Sequence, residues 1–234
     1  MTQQEKHLLI TLPILIMVIT VLRHGMAIDH AISNQFFIDG QWLWPKQDSH
    51  LTFLLHEVPK YIFIGIGGAC LLICIAGTLI KSIKTYCYPA LMIALSLLVI
   101  PIIIGQLKAQ THIFCPSSLQ LYHGIIPDHY RQMTLSSEML SHSRCFPAAH
   151  PSPGFALFIL GVLATTPWKK VLGYSIGVFA GLSLSVIQIG RGEHFLTHCF
   201  ATALIALWIV HALPMIAELL PTLFKKAKNA HHIL

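Results

Sequence analysis

Residues 61–107 read YIFIGIGGACLLICIAGTLI, then KSIKT, then YCYPALMIALSLLVIPIIIGQL. Two apolar blocks of 20 and 22 residues are separated only by a short segment carrying Lys81 and Lys84. About 20 apolar residues suffice to cross a bilayer as a helix, and the alternation expected of a transmembrane barrel is absent. Working outward, the same punctuation recurs, and six spans can be drawn: 8–22, 61–80, 86–107, 153–168, 171–189 and 195–216. The fold class expected is all-α, a polytopic six-helix membrane bundle forming a single domain over 1–234. Composition agrees, because 55% of the 234 residues are hydrophobic and only 10% charged, against roughly a quarter charged in soluble domains. The segment at 8–22 reads as an anchor, since its leader is weakly basic and no small-residue cleavage site follows. Only Lys169 and Lys170 part the fourth and fifth spans, which predicts an antiparallel helical hairpin.

The formal charge of +6 does not indicate a nucleic-acid partner, because the excess sits in Lys pairs beside the apolar blocks. With six spans, one side collects Lys6, Lys81, Lys84, Lys169, Lys170, Lys225, Lys226 and Lys228 against Glu5 and Glu218. The opposite side, 23–60, 108–152 and 188–194, balances to zero. The positive-inside rule then puts both termini in the cytoplasm and those three segments outside.

The outward segments hold the reactive residue types. In the stretch 185–200, SVIQIGRGEHFLTHCF, His194 and His198 are four apart, hence on one face of a helix, with Arg191 and Glu193 beside them. Polar groups concentrated at the end of a membrane segment point to a site. Lys108 and His150 fall on the same side. Together they supply what metal-free phosphoester cleavage needs: cations for phosphate oxygens, a nucleophile and an acid for the leaving oxygen. Histidine serves either of the last two roles near neutral pH.

Three segments in this order resemble the signatures of the type 2 phosphatidic acid phosphatase family. The first is Lys108-Ala-Gln-Thr-His-Ile-Phe-Cys115-Pro116, similar to a bacterial branch with Cys-Pro in place of Arg-Pro. The second is Cys145-Phe146-Pro147-Ala148-Ala149-His150, and the third Gly192-Glu193-His194-Phe195-Leu196-Thr197-His198. Asp29-His-Ala-Ile-Ser-Asn-Gln-Phe-Phe37 also resembles that branch. The resemblance implies a six-helix lipid phosphatase of the bacterial inner membrane, its active site facing the periplasm. It implies no metal or other cofactor, and the partners expected are the bilayer and a lipid phosphate substrate. The substrates it suggests are phosphatidic acid, phosphatidylglycerophosphate, undecaprenyl pyrophosphate and lipid A phosphates. His194 would be the nucleophile and His150 the general acid. Lys108 and the backbone N–H groups at Ala148 and Ala149 would bind phosphate oxygens.

The chain departs from the family pattern at three places. The Asp that orients the nucleophile is replaced by His198, which can still accept a hydrogen bond. The phosphate-clamping Arg is replaced by Gln188, with Arg191 about one helical turn later as a substitute cation. The Gly of the second segment is Ala149. Two alternatives therefore stand beside the phosphatase: an impaired homologue that binds phospholipid, and a membrane metal-binding protein using His194 and His198, which have metal-ligand spacing on a helix. Cys115 and Cys145 both fall on the outward side, where an oxidising compartment would permit a disulfide between the first and second segments.

With 15 histidines in the chain, a single one is weak evidence. His24, His30, His50, His56, His112, His123, His129 and His142 read as loop or interfacial residues, and His211 as a packed one. Cys70, Cys74 and Cys87 read as small apolar residues, and Gly65, Gly67 and Gly68 as a close helix-packing surface.

Overall fold

The computed structural model describes residues 11, 12, 15, 16, 18–20, 26–128 and 143–231, with side chains through Leu219 except Met26 and Thr78. Most of the span expected at 8–22, together with Arg131, Glu138, His129 and His142, lies outside the described residues.

The described chain is almost wholly helical. Helix α1 (Met26–Ser33) leads into one antiparallel hairpin, β1 (Phe37–Ile38) and β2 (Gln41–Trp42). A short α2 (Ser49–Thr52) runs through a π-helical turn into α3 (Val58–Leu79). Asp48 starts this run by accepting the Leu51 N–H at 3.0 Å, a side-chain cap on an otherwise unpaired donor. A 3-10 turn, Lys81–Tyr86, connects to α4 (Cys87–Ala109). After the loops come α5 (Ser152–Ala156), α6 (Ile159–Leu163), α7 (Pro167–Gly190) and α8 (Leu196–His231).

Four helical runs are long and apolar enough to cross a membrane: Ser49–Gly77, Lys81–Ala109, Pro167–Gly190 and Leu196–Leu219. They correspond to the second, third, fifth and sixth expected spans, and they make this a helical membrane-type protein. Large apolar side chains such as Leu72, Ile75, Leu79 and Phe179 lie on the outside, as a lipid-facing surface requires.

The fourth span, 153–168, is not one continuous helix: two five-residue helices meet at Leu157–Phe158, and the segment runs antiparallel to α7, Gly154 against Gly181 and Gly161 against Gly173. Phe155, Ala156, Phe158 and Ile159 are buried in the main core with Ile100, Ile104, Ile205 and Val210. The segment is apolar because it is enclosed by protein. The hairpin itself exists, but its turn is at Ala164–Thr166, and Lys169 and Lys170 belong to the first turn of α7, which Pro167 opens.

Tight packing in that hairpin comes from Gly173, Gly177 and Gly181 on one face of α7. A Cβ at Gly173 would meet the Gly161 backbone N at 2.4 Å, and at Gly181 the Phe155 ring at 2.2 Å. The expected packing surface at Gly65, Gly67 and Gly68 is not one: Gly65 and Gly68 have nothing within 4 Å, and Gly67 meets only Leu97 at 4.0 Å. Gly67 and Gly68 instead border a cavity between α3 and α4.

Candidate active site

The cavity has a volume of about 650 Å³ and reaches the end of the bundle where α4 and α7 finish and α3 and α8 begin. Lys108, Ala149, His150, Gln188, Glu193 and His194 meet at this end. Phe63, Ile64, Leu71, Leu97 and Leu98 line the remainder. It is polar at one end and apolar along its length.

His194 follows directly on a turn made by Gly192, which takes φ +69°, the left-handed region that a side chain disfavours. A Cβ there would also lie 2.3 Å from the Trp42 ring. The Gly192 carbonyl accepts the Ser117 N–H at 2.9 Å, tying the turn to the first motif. His194 Nδ1 lies 2.9 Å from the Cys145 carbonyl. A carbonyl only accepts, so Nδ1 carries the proton and Nε2 keeps its lone pair. Burial, followed by the fields of His198 and Lys108, pushes the His194 pKa well below the usual histidine range. The ring is neutral at pH 7, as a nucleophile must be.

The residue expected to hold that ring was His198. It is buried with its ring edge-on to Phe146 and Phe195, both at 5.3 Å, and its centroid is 6.0 Å from that of His194. His198 does not line the cavity. The orienting acceptor on His194 is a backbone carbonyl from the second motif. That carbonyl belongs to Cys145, which forms a disulfide with Cys115, their Cα atoms 5.2 Å apart. Cys145 N–H also donates to the Ile113 carbonyl at 2.9 Å. The first and second motifs are thus joined twice beside the His194 ring.

His150 stacks on His56, with centroids 4.3 Å apart and planes 13° from parallel. Its Nε2 is buried with no hydrogen-bond partner among the described residues. Burial and the neighbouring His56 and Arg191 lower its pKa to about 4, against a weaker opposing hydrogen bond to the Leu55 backbone. His56 was read from sequence as an interfacial residue. Here it lines the cavity, 3.7 Å from Glu57, and Glu57 pairs with Lys60 at 3.3 Å. No sequence signal marks His56, since it stands in no motif.

Gln188 is buried, borders the cavity, and its amide Nε2 has no partner among the described residues. It is a donor awaiting an acceptor. Lys108, in the last turn of α4, brings the ammonium, and no acid pairs with it among the described residues. Glu193 would repel an anion, but it is paired with Lys46.

Two expected phosphate ligands are placed differently. The Ala148 N–H donates to the His198 carbonyl at 3.3 Å, so it is engaged in holding the motif to α8. Ala149 does line the cavity. Arg191 borders a neighbouring cavity, and its Nη2 donates to Thr52 Oγ1 at 3.0 Å. Of Gln188 and Arg191, it is Gln188 that borders the main cavity. Among the described residues, no three His, Cys, Asp or Glu side chains gather as metal ligands would.

No family model matches the chain, and neither a curated protein nor a solved structure is similar to it.

Proposed function

We propose that the protein is an integral membrane hydrolase of lipid phosphates, acting on a phosphomonoester or diphosphate through a phosphohistidine. The observation that carries this reading is the shape of one cavity. Lys108, His150, Gln188 and His194 meet at its polar end, and apolar side chains of α3 and α4 line the rest. A headgroup phosphate fits the first part and an acyl or prenyl chain the second. Cavities of roughly 300–1,000 Å³ with few convergent polar groups are typical ligand sites.

In the reaction proposed, His194 Nε2 attacks phosphorus while Lys108 and the Gln188 amide hold the non-bridging oxygens. The bond from phosphorus to the lipid oxygen breaks, and that oxygen takes a proton from His150 Nε2. A bound phosphate dianion favours the imidazolium, offsetting the burial that lowers the His150 pKa in the empty site. Water then attacks the phosphohistidine, gives a proton to His150, and inorganic phosphate leaves. No step needs a metal. The six-span topology proposed, with both termini cytoplasmic, puts this end of the bundle at the outer face of a bacterial inner membrane.

One observation favours the alternative of a binding protein without turnover: the Ala148 N–H is already occupied, leaving fewer donors for the transition state. The test is phosphate release from a panel of lipid phosphates in detergent. The hydrolase reading expects release by the wild type, insensitive to chelator and lost in His194→Ala. Folded wild-type protein that binds lipid phosphates and releases none would favour the alternative.

A further inference from the structure

A second cavity, of about 520 Å³, lies beside the first and has no part in the reaction above. Arg191 borders it and is only 4% exposed. Nη2 is bonded to Thr52, but Nε and Nη1 have no hydrogen-bond partner among the described residues. A guanidinium does not shed its charge in a protein. Burying one with two open donors is costly unless an anion completes it.

Lys46 borders the same cavity, 3.3 Å from Ser117 Oγ, and pairs with Glu193 of the first cavity. That ion pair links a residue lining one space to a residue lining the other. The acid on the wall, Asp48, has its Oδ1 engaged in capping α2. Trp42 and Tyr122, with ring centroids 4.9 Å apart, give the cavity an aromatic side. Burial, followed by the fields of Arg191 and Lys108, lowers the pKa of Lys46.

We infer that this cavity is a second anion subsite, so that preferred substrates carry two anionic groups, one reaching His194 and the other Arg191. The inference rests on the lipid-phosphate reading above. Nε–H and Nη1–H, on different sides of the guanidinium, each offer a charged donor to an oxyanion oxygen. The second anion is either the other phosphate of a diphosphate or an acidic linkage within the headgroup.

The experiment compares three short-chain lipids with the same tails. One is a simple phosphomonoester, one a diphosphate, and one a phosphodiester whose headgroup ends in a phosphomonoester. The expected result is a wild-type KM for at least one two-anion lipid lower by about tenfold or more than for the phosphomonoester. Arg191→Gln removes that preference, and Arg191→Lys, which keeps the charge without the fork, restores part of it. Whichever two-anion lipid shows the preference identifies the source of the second anion. Absence of preference in the wild type, or an equal change for all three lipids in Arg191→Gln, overturns the subsite. If none of the lipids is turned over, binding of inorganic phosphate to the full chain separates the two failures. Phosphate bound by Lys108→Ala and not by Lys108→Ala with Arg191→Gln keeps the subsite while the hydrolase reading falls. Equal binding by both variants, or none by either, overturns the subsite as well.

Discussion

Removing the Cys115–Cys145 disulfide should weaken both the fold and the site, for separable reasons. The bridge closes a loop with a sequence separation of 30. Loop-closure entropy for a ring of that size gives about 3.6 kcal/mol of stabilisation at 25 °C through restriction of the unfolded chain. The functional effect is local. The Cys145 carbonyl is the acceptor that fixes His194 Nδ1 at 2.9 Å, so freeing that backbone lets the nucleophile turn away from phosphorus. A loss of kcat of roughly tenfold or more is expected from such misplacement. Two assays check this. Alkylation of denatured, unreduced protein should label four cysteines, Cys70, Cys74, Cys87 and Cys199, and all six only after reduction. The double variant Cys115→Ser, Cys145→Ser should then unfold at lower denaturant and release phosphate more slowly. Six labelled thiols without reduction would refute the bridge. An oxidised bridge whose removal leaves kcat unchanged would refute its role in holding His194.

Three further outcomes are expected. Gln188→Leu removes a buried donor to a charged oxygen, worth about 1.5–3 kcal/mol, so kcat/KM for phosphate release should drop roughly tenfold to a hundredfold; an unchanged value would mean that the amide does not touch the substrate. Stability should be complete above about pH 6.5 and fall as pH drops towards about 4, because unfolded histidines bind protons that folded His150 and His194 refuse. His150 alone contributes on the order of 3 kcal/mol over that window. His150→Gln should flatten the slope of the unfolding midpoint against pH, and an unaltered slope would contradict the assignment. His198→Asp puts a carboxylate between Phe146 and Phe195, where burial of an unpaired charge is costly, so the melting temperature should fall. A melting temperature equal to wild type with higher turnover would show that the new carboxylate takes over His194 Nδ1.

Much of the site could be read from the chain. Lys108, His150, Gln188 and His194 stand at the ends of apolar runs. Charge bias put those ends on one side, and the cavity brings the four together. What the sequence left undetermined follows from two physical gaps. Hydropathy cannot show whether an apolar run forms one continuous helix, so 153–168 reads as a single span where the structure has two short helices packed in the core. Nor does a motif reveal where its backbone groups bond. Ala148 was expected to offer its N–H to phosphate and gives it to His198, while Cys145, noted only for its thiol, supplies the carbonyl that orients the nucleophile. His56 reaches His150 through a ring stack between residues 94 positions apart, which no local pattern encodes.

The most direct measurement is rapid quenching of the full chain with a lipid phosphate labelled in its terminal phosphoryl group, followed by peptide mapping. The phosphohistidine route predicts an acid-labile, alkali-stable phosphoryl group on the peptide containing His194, absent in His194→Ala and longer-lived in His150→Ala. Steady release of phosphate with no label on that peptide at any quench time would contradict it.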